Sequence, residues 1–289
     1  MRPMDQAAVD ALITLLDLEP IEVNIFRGAV SPDRGDQRVF GGQVAGQALV
    51  AGARTVEADH VVHSLHAQFL RPGDPAIPII YEVDRSRDGH SFSTRRVRAV
   101  QHGRSIFTLS ASFQKPEDVF DHQFEMPSGL PEPEDLPDFK ERMAPWKDAF
   151  ADYYDRPRPI DTRYCDWHPP DDHTPGPMFE NVWFRANGAL PDDPVLHHCV
   201  VTYASDMTVL DTSLRPHGGS GLGDVFMASL DHAMWFHRPF RADDWLLYAQ
   251  DTPSASGGRG LGRGLIFTKD GTLVASVMQE GVIRPARRP

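Results

Sequence analysis

The sequence predicts an α+β protein built from two copies of one unit, each a buried helix followed by an antiparallel meander. Three observations carry this. Helix-like stretches with apolar residues three and four apart stand at residues 40–56 and 193–210, and each leads into a series of strand-like runs. The two series share residues at one offset, 238 − 71 = 167: Arg71-Pro72 with Arg238-Pro239, Tyr81 with Tyr248, Asp84 with Asp251, and Arg96 with Arg263. Between them, residues 115–178 hold 12 of the chain's 25 prolines, the composition of a connector. The expected division is an N-terminal unit over 1–117, a Pro-rich connector over 118–158 and a C-terminal unit over 159–289.

In chain order, residues 5–17 place Val9, Leu12, Leu15 and Leu16 on one side of a short amphipathic helix. Residues 20–29 alternate Ile21, Val23 and Ile25, as a half-buried strand would. The Ser31 to Gly35 segment reads as a turn. The helix over 40–56 carries Gly46 and Gly52 in its interior, at a cost of about 1 kcal/mol each relative to Ala. That cost makes sense where another backbone approaches closely, as when a sheet curls around the helix. Strands are expected at 63–70, 79–84, 91–101 and 105–114. The connector should hold one helical piece around 135–154 and a strand near 160–167. After it come strands at 180–187, 226–237, 245–251, 259–268 and 273–279, with an Asp270-Gly271 hairpin turn before the last.

The stretch at 193–210 is the most informative. Asp193 is a good N-cap, and Pro194 takes the first helical position, where its missing N–H costs nothing. Val195, Cys199, Tyr203, Met207 and Leu210 mark a buried stripe. Asp206 sits beside that stripe, in the half of the helix whose dipole disfavours a carboxylate. A buried carboxylate there has to be solvated, hydrogen-bonded or used.

A net charge of −12 argues against nucleic-acid binding, and no apolar run approaches a membrane span. Two cysteines, Cys165 and Cys199, are too few for a disulfide framework or a zinc site. The polar N-terminus does not resemble a signal peptide, so a cytoplasmic protein is expected.

A long buried helix wrapped by an antiparallel sheet is the hotdog fold, and two in one chain make a double hotdog. Arg38 to Leu49 (RVFGGQVAGQAL), His63 to Asp74 (HSLHAQFLRPGD), Phe92 to Gln101, Tyr203 to Asp206 (YASD), Leu230 to Phe240 (LDHAMWFHRPF), Asp244 to Tyr248 and Val277 to Arg284 (VMQEGVIR) together resemble the acyl-CoA thioesterase II family. The resemblance spans both halves and omits only the connector. It implies an acyl-CoA substrate, no cofactor and no metal, and a homodimer or larger assembly. It also implies an active site of an Asp, a Thr and a Gln, which fall here on Asp206, Ser229 and Gln279. Ser for Thr keeps the hydroxyl and loses a methyl. The first half offers no equivalent acid, having Gln43 and Gln47 but no Asp or Glu between Gly41 and Val56. The peroxisomal members end in a Ser-Lys-Leu-type signal, whereas this chain ends in Ala-Arg-Arg-Pro.

Asp206 would accept a proton from water, and Ser229 and Gln279 would fix that water's direction. The oxyanion would be met by a backbone N–H or by the Gln279 amide. Two alternatives use the same fold. An (R)-specific enoyl-CoA hydratase pairs its Asp with a His five residues on, where this chain has Asp211. A non-catalytic acyl-CoA-binding regulator carries a helix-turn-helix, which is not evident here.

Other patterns fail on inspection. Ser220 lacks the G-x-S-x-G elbow, and the glycines of 257–264 miss the dinucleotide spacing. His60, His63 and His66 alternate faces on a strand, which argues against a metal site. His232 and His237 read as packing or hydrogen-bonding residues. Arg95, Arg96, Arg98, Arg259 and Arg263 suit either CoA phosphates or an exposed strand face.

Overall fold

The structure, a computed structural model, describes residues 5–30, 38–218 and 225–286. The turn expected at Ser31 to Gly35 and the Ser220 segment lie outside these. Helix α1 (Gln6–Leu16) starts at Asp5, whose carboxylate accepts from the Ala8 N–H, and it buries Val9, Leu12, Leu15 and Leu16. Strands β1 (Glu19–Glu22) and β2 (Ile25–Gly28) follow, where one strand was expected. The alternation of Ile21, Val23 and Ile25 is broken by Asn24, whose positive φ of 62° turns the chain into a hairpin. Asn tolerates that left-handed conformation, and Ile21 and Val23 are left exposed around it.

Helix α2 (Gly41–Ala53) precedes β3 (Val61–Phe69), β4 (Ile79–Asp88), β5 (Phe92–Gln101) and β6 (Arg104–Gln114). The connector holds two one-turn helices, α3 (Phe139–Met143) and α4 (Ala151–Asp155), with short 3-10 turns at Pro133–Asp135 and Ala144–Trp146, before β7 (Ile160–Tyr164). A single helix over 135–154 does not form, because Pro137 and Pro145 interrupt its hydrogen-bond ladder. The second half runs β8 (Phe179–Ala186), α5 (Pro194–Ser205), a 3-10 segment (Asp211–His217), β9 (Val225–Ser229), β10 (Asp231–Phe236), β11 (Leu246–Ser256), β12 (Arg259–Thr268) and β13 (Leu273–Pro285). The strand expected at 226–237 is thus split at Leu230. Its first part pairs with the far end of β13, while β10 pairs with both β13 and β3.

The strands form one antiparallel sheet in the order β1-β2-β4-β5-β6-β3-β10-β13-β12-β11-β8-β7. The halves join through β3 and β10, whose ladder runs from Gln68–Asp231 to Ser64–Trp235 with His66 opposite Ala233 at its middle. At offset 167 each rung of this ladder maps onto another, so a pseudo-twofold axis passes through the His66–Ala233 pair. The duplication extends to detail. Asp84 pairs Arg96 as Asp251 pairs Arg263, and a bulge interrupts both ladders at the same place, between Asp84 and Arg87 and between Asp251 and Ser254.

Within the curled sheet, α2 and α5 run antiparallel in contact, sharing one continuous core. A methyl at Gly42 would lie 2.3 Å from the Tyr203 carbonyl oxygen, and one at Gly46 would lie 3.3 Å from that of Cys199. The backbone that requires small residues here is therefore the partner helix rather than the sheet. Gly52, by contrast, faces the sheet residues Val97, Arg95 and Phe113. Tyr81 and Tyr248 rise from equivalent strands, one bonding Gln47 Oε1 on α2 at 2.7 Å and the other the Ser205 carbonyl on α5 at 3.3 Å. A second apolar cluster, around Trp183, Trp245, Leu247 and Phe267, packs against Met126, Leu130 and Leu136 of the connector.

Candidate active site

Helix α5 opens as the sequence predicts, with Asp193 accepting from the Val195 N–H and Pro194 at its first position. It ends earlier than predicted. The apolar spacing of Tyr203, Met207 and Leu210 continues past Ser205, but the backbone turns there and Asp206 is the C-cap. Val195 is exposed, whereas the body of the helix from His197 to Thr202 is buried on all sides. Asp206 therefore stands among the unpaired carbonyls of its own helix, the wrong end of the dipole for a carboxylate. The antiparallel partner compensates. Helix α2 begins at this point without a capping side chain, and the Gly42 N–H at its start faces the Asp206 carboxylate and favours its charged form. A Cβ on Gly41 would sit 2.6 Å from Asp206 Oδ2, so glycine is required for the close approach.

Three expected residues meet. Gln279, fully buried on β13, donates through Nε2 to Asp206 Oδ1 and to Ser229 Oγ, both at 2.8 Å. Ser229 Oγ lies 3.4 Å from Asp206 Oδ1, a long contact. Ser229 reaches this place because it ends β9, directly opposite Gly281 on β13. Burial pushes the Asp206 carboxyl above the usual carboxylate range, against the pull of His232, Gln279, the Gly42 N–H and Ser229.

Behind Gln279 lies a residue that the sequence reads as packing or hydrogen-bonding, and it is the second. His232, fully buried, sits directly across the β10–β13 ladder from Gln279. Its Nδ1 is 2.5 Å from Gln279 Oε1, and its Nε2 is 2.9 Å from Ser205 Oγ. Burial lowers the His232 pKa, and the nearby Asp206 pulls it the other way.

The cluster opens on a cavity of about 900 Å³ between the halves and the connector. Phe40, Val44, Phe69 and Phe107 line it from the first half, Phe139, Arg142 and Arg158 from the connector, and Tyr164, Trp167, Asp206, Met207, Ser229 and Gln279 from the second. The arginines singled out from sequence do not line it. Arg95 is buried against Thr55 and Asp88, Arg98 pairs with Glu82, Arg259 with Glu280 and Arg263 with Asp251. Arg38, Arg71, Arg142, Arg158 and Arg215 line it instead. His60, His63 and His66 do not converge. They contact Asp59, Ser112 and Trp235 respectively.

The first half is apolar where the second is polar. By strand register the places of Ser229, His232 and Gln279 are taken by Val62, Leu65 and Ala111, all buried, with Leu65 opposite Ala111 as His232 is opposite Gln279.

A double-hotdog scaffold with one carboxylate, hydroxyl and amide cluster at a shared cavity defines a hotdog-fold enzyme of the thioesterase class. Comparison with known proteins narrows this. A family profile described as acyl-CoA thioesterase matches residues 161–282, and one described as the acyl-CoA thioesterase N-terminal domain matches residues 30–114. The chain belongs to the acyl-CoA thioesterase II family. It is 43% identical to acyl-coenzyme A thioesterase 8 of Mus musculus, over 94% of this chain and 88% of that one. With acyl-CoA thioesterase 2 of Haemophilus influenzae it shares 42% identity over 94% and 96% of the two chains. The crystal structure of an acyl-CoA thioesterase II from Mycobacterium marinum superposes with a TM-score of 0.79 at 46% identity, covering 95% of this chain and 98% of that one.

Proposed function

We propose that the protein hydrolyses acyl-CoA thioesters, with Asp206 as general base, Ser229 orienting the attacking water, and Gln279 fixing both side chains through its two Nε2–H bonds. The observation that carries this is the meeting of Gln279 Nε2 with both Asp206 Oδ1 and Ser229 Oγ at 2.8 Å, on the wall of a cavity large enough for an acyl chain. Water held by Asp206 and Ser229 attacks the thioester carbonyl as its proton passes to Asp206. The tetrahedral intermediate then collapses with loss of the CoA thiolate, and the protein never becomes acylated. Both Nε2–H bonds of Gln279 are already committed, so the oxyanion falls to a backbone N–H at the start of α2, where helix geometry leaves donors unpaired.

The hydratase alternative needs a histidine facing the substrate. His232 is near Asp206, yet it stands behind Gln279 and is not among the residues lining the cavity. The test is release of free CoA from palmitoyl-CoA, followed with a thiol reagent, beside hydration of an enoyl-CoA. Hydration without CoA release would overturn the assignment. We further read residues 1–117 and 159–289 as two hotdog units joined by 118–158. We also read the protein as cytoplasmic, a reading supported by its two free cysteines, and as a homodimer or larger, which sedimentation would test.

A further inference from the structure

We infer that His232 is a positioning residue, which holds the Gln279 amide in the one orientation that presents donors to both Asp206 and Ser229. The inference rests on the reading of Asp206 as the base, and it adds the group that sets up that base. It follows from a sequence of constraints, each leaving one choice. An ionised carboxylate only accepts hydrogen bonds, so the Gln279 group facing Asp206 at 2.8 Å has to be its NH2. The carbonyl Oε1 is then turned inward, and at full burial it needs a donor. The group 2.5 Å away is His232 Nδ1, which therefore carries the imidazole proton. Nε2, left as an acceptor, faces the Ser205 hydroxyl at 2.9 Å.

Ser205 completes the arrangement. Its Oγ also lies 3.0 Å from the Thr202 carbonyl and 3.3 Å from Met234 Sδ. A hydroxyl has one proton. If it went to Thr202, Nε2 would have to carry the imidazole proton, Nδ1 would become an acceptor, and the amide would turn its oxygen toward Asp206. Repulsion between that oxygen and the carboxylate selects the other state. Burial keeps His232 neutral, as a single-proton relay requires. The chain Asp206–Gln279–His232–Ser205 thus passes orientation rather than charge from α5's C-cap through the sheet and back to α5's last turn.

His232→Leu removes the donor and leaves Gln279 Oε1 buried without a partner, so the amide is free to turn. His232→Asn keeps a donor at about the place of Nδ1. Both variants lose the imidazole equally, so the difference between them isolates the hydrogen bond. The other groups facing Asp206 are unchanged in both: Ser229 from β9, the Gly42 N–H from α2, Asp211 from the 3-10 segment and Tyr248 from β11.

The expected result is a loss of kcat in His232→Leu of roughly five- to fifty-fold, with KM within about twofold and the acid limb of the pH profile moved to higher pH. In His232→Asn, kcat and the limb return toward the wild type. Titration of the Asp206 carboxyl by NMR in 13C-Asp-labelled protein reads the amide's orientation whether or not Asp206 is the base. A carboxyl pKa that rises in the Leu variant and recovers in the Asn variant supports the inference, even if kcat shows the catalytic reading to be wrong. Equal titration and equal kcat in the two variants would overturn it. Should His232→Leu fail to fold, imidazole 15N shifts in the wild type decide the matter. A proton on Nδ1 is expected, and one on Nε2 would refute the relay.

Discussion

Replacing Asp206 with Asn separates what this carboxylate does for turnover from what it costs the fold. Asn keeps the shape and can still accept from Gln279 Nε2, so the geometry around it should survive. What it loses is the ability to take a proton. Removal of a general base lowers kcat by roughly 10² to 10⁴, equivalent to about 2.7–5.4 kcal/mol of barrier. KM should move little, because the acyl chain and CoA are held by the rest of the cavity. Stability should change in the opposite direction. The folded-state pKa of Asp206 lies above its unfolded value, chiefly through burial. Such a group imposes no penalty below the unfolded pKa, where it is protonated in both states. The penalty grows as pH rises through the folded pKa, and it is complete above that. Asp206→Asn should therefore melt higher than the wild type at pH 7, and the difference should vanish in acid. Free CoA followed with a thiol reagent measures the first effect, and thermal scans at pH 7 and near pH 3.5 the second. A variant with more than a third of wild-type kcat would remove Asp206 from the role of base. A lower melting point at neutral pH would show that the carboxylate is stabilised rather than strained.

Ser229→Ala deletes a neutral hydroxyl, so kcat should fall by roughly two- to thirteen-fold, less than in Asp206→Asn. Ser229→Thr should keep or modestly raise kcat by restricting hydroxyl rotation. An acyl-enzyme detected by mass spectrometry in the wild type would refute the direct attack of water. Gly42→Ala would drive a methyl to 2.3 Å from the Tyr203 carbonyl and force α2 away from α5. It should cost about 1–3 kcal/mol in denaturant unfolding, and an unchanged midpoint would contradict the close helix contact.

Much of this architecture is legible in the residues. The offset of 167 reappears as matched rungs and matched bulges because a duplicated ladder keeps its register even where side chains have diverged. The apolar spacing of three and four located α5 but overran its end. Tyr203, Met207 and Leu210 are buried or partly buried for different reasons, the last two lying beyond the helix in the turn beside the cavity. At Ile21 to Ile25 the alternation was real, but one Asn in a left-handed conformation outweighed it. Asp206 stands out by its place in the disfavoured half of a buried helix, but Ser229 and Gln279 could be named only through the family resemblance, since a lone serine or glutamine at a strand end carries no signal. The partner of His232 was hidden for a different reason. His232 faces Gln279 across a ladder, and 47 residues separate the two in the chain.

The buried Val62, Leu65 and Ala111 give the first half a meaning beyond support. Two halves with one backbone design differ at the matched positions by apolar against polar side chains, so the molecule contains its own unfunctionalised control. At those matched positions the first half carries neither the neutral imidazole nor the carboxylate-bound amide of the second. Active-site titration should accordingly find one reactive centre per chain despite the twofold scaffold. Hydrogen exchange should find the slower-opening amides in β3 and β6, where Val62, Leu65 and Ala111 replace the polar cluster with hydrocarbon.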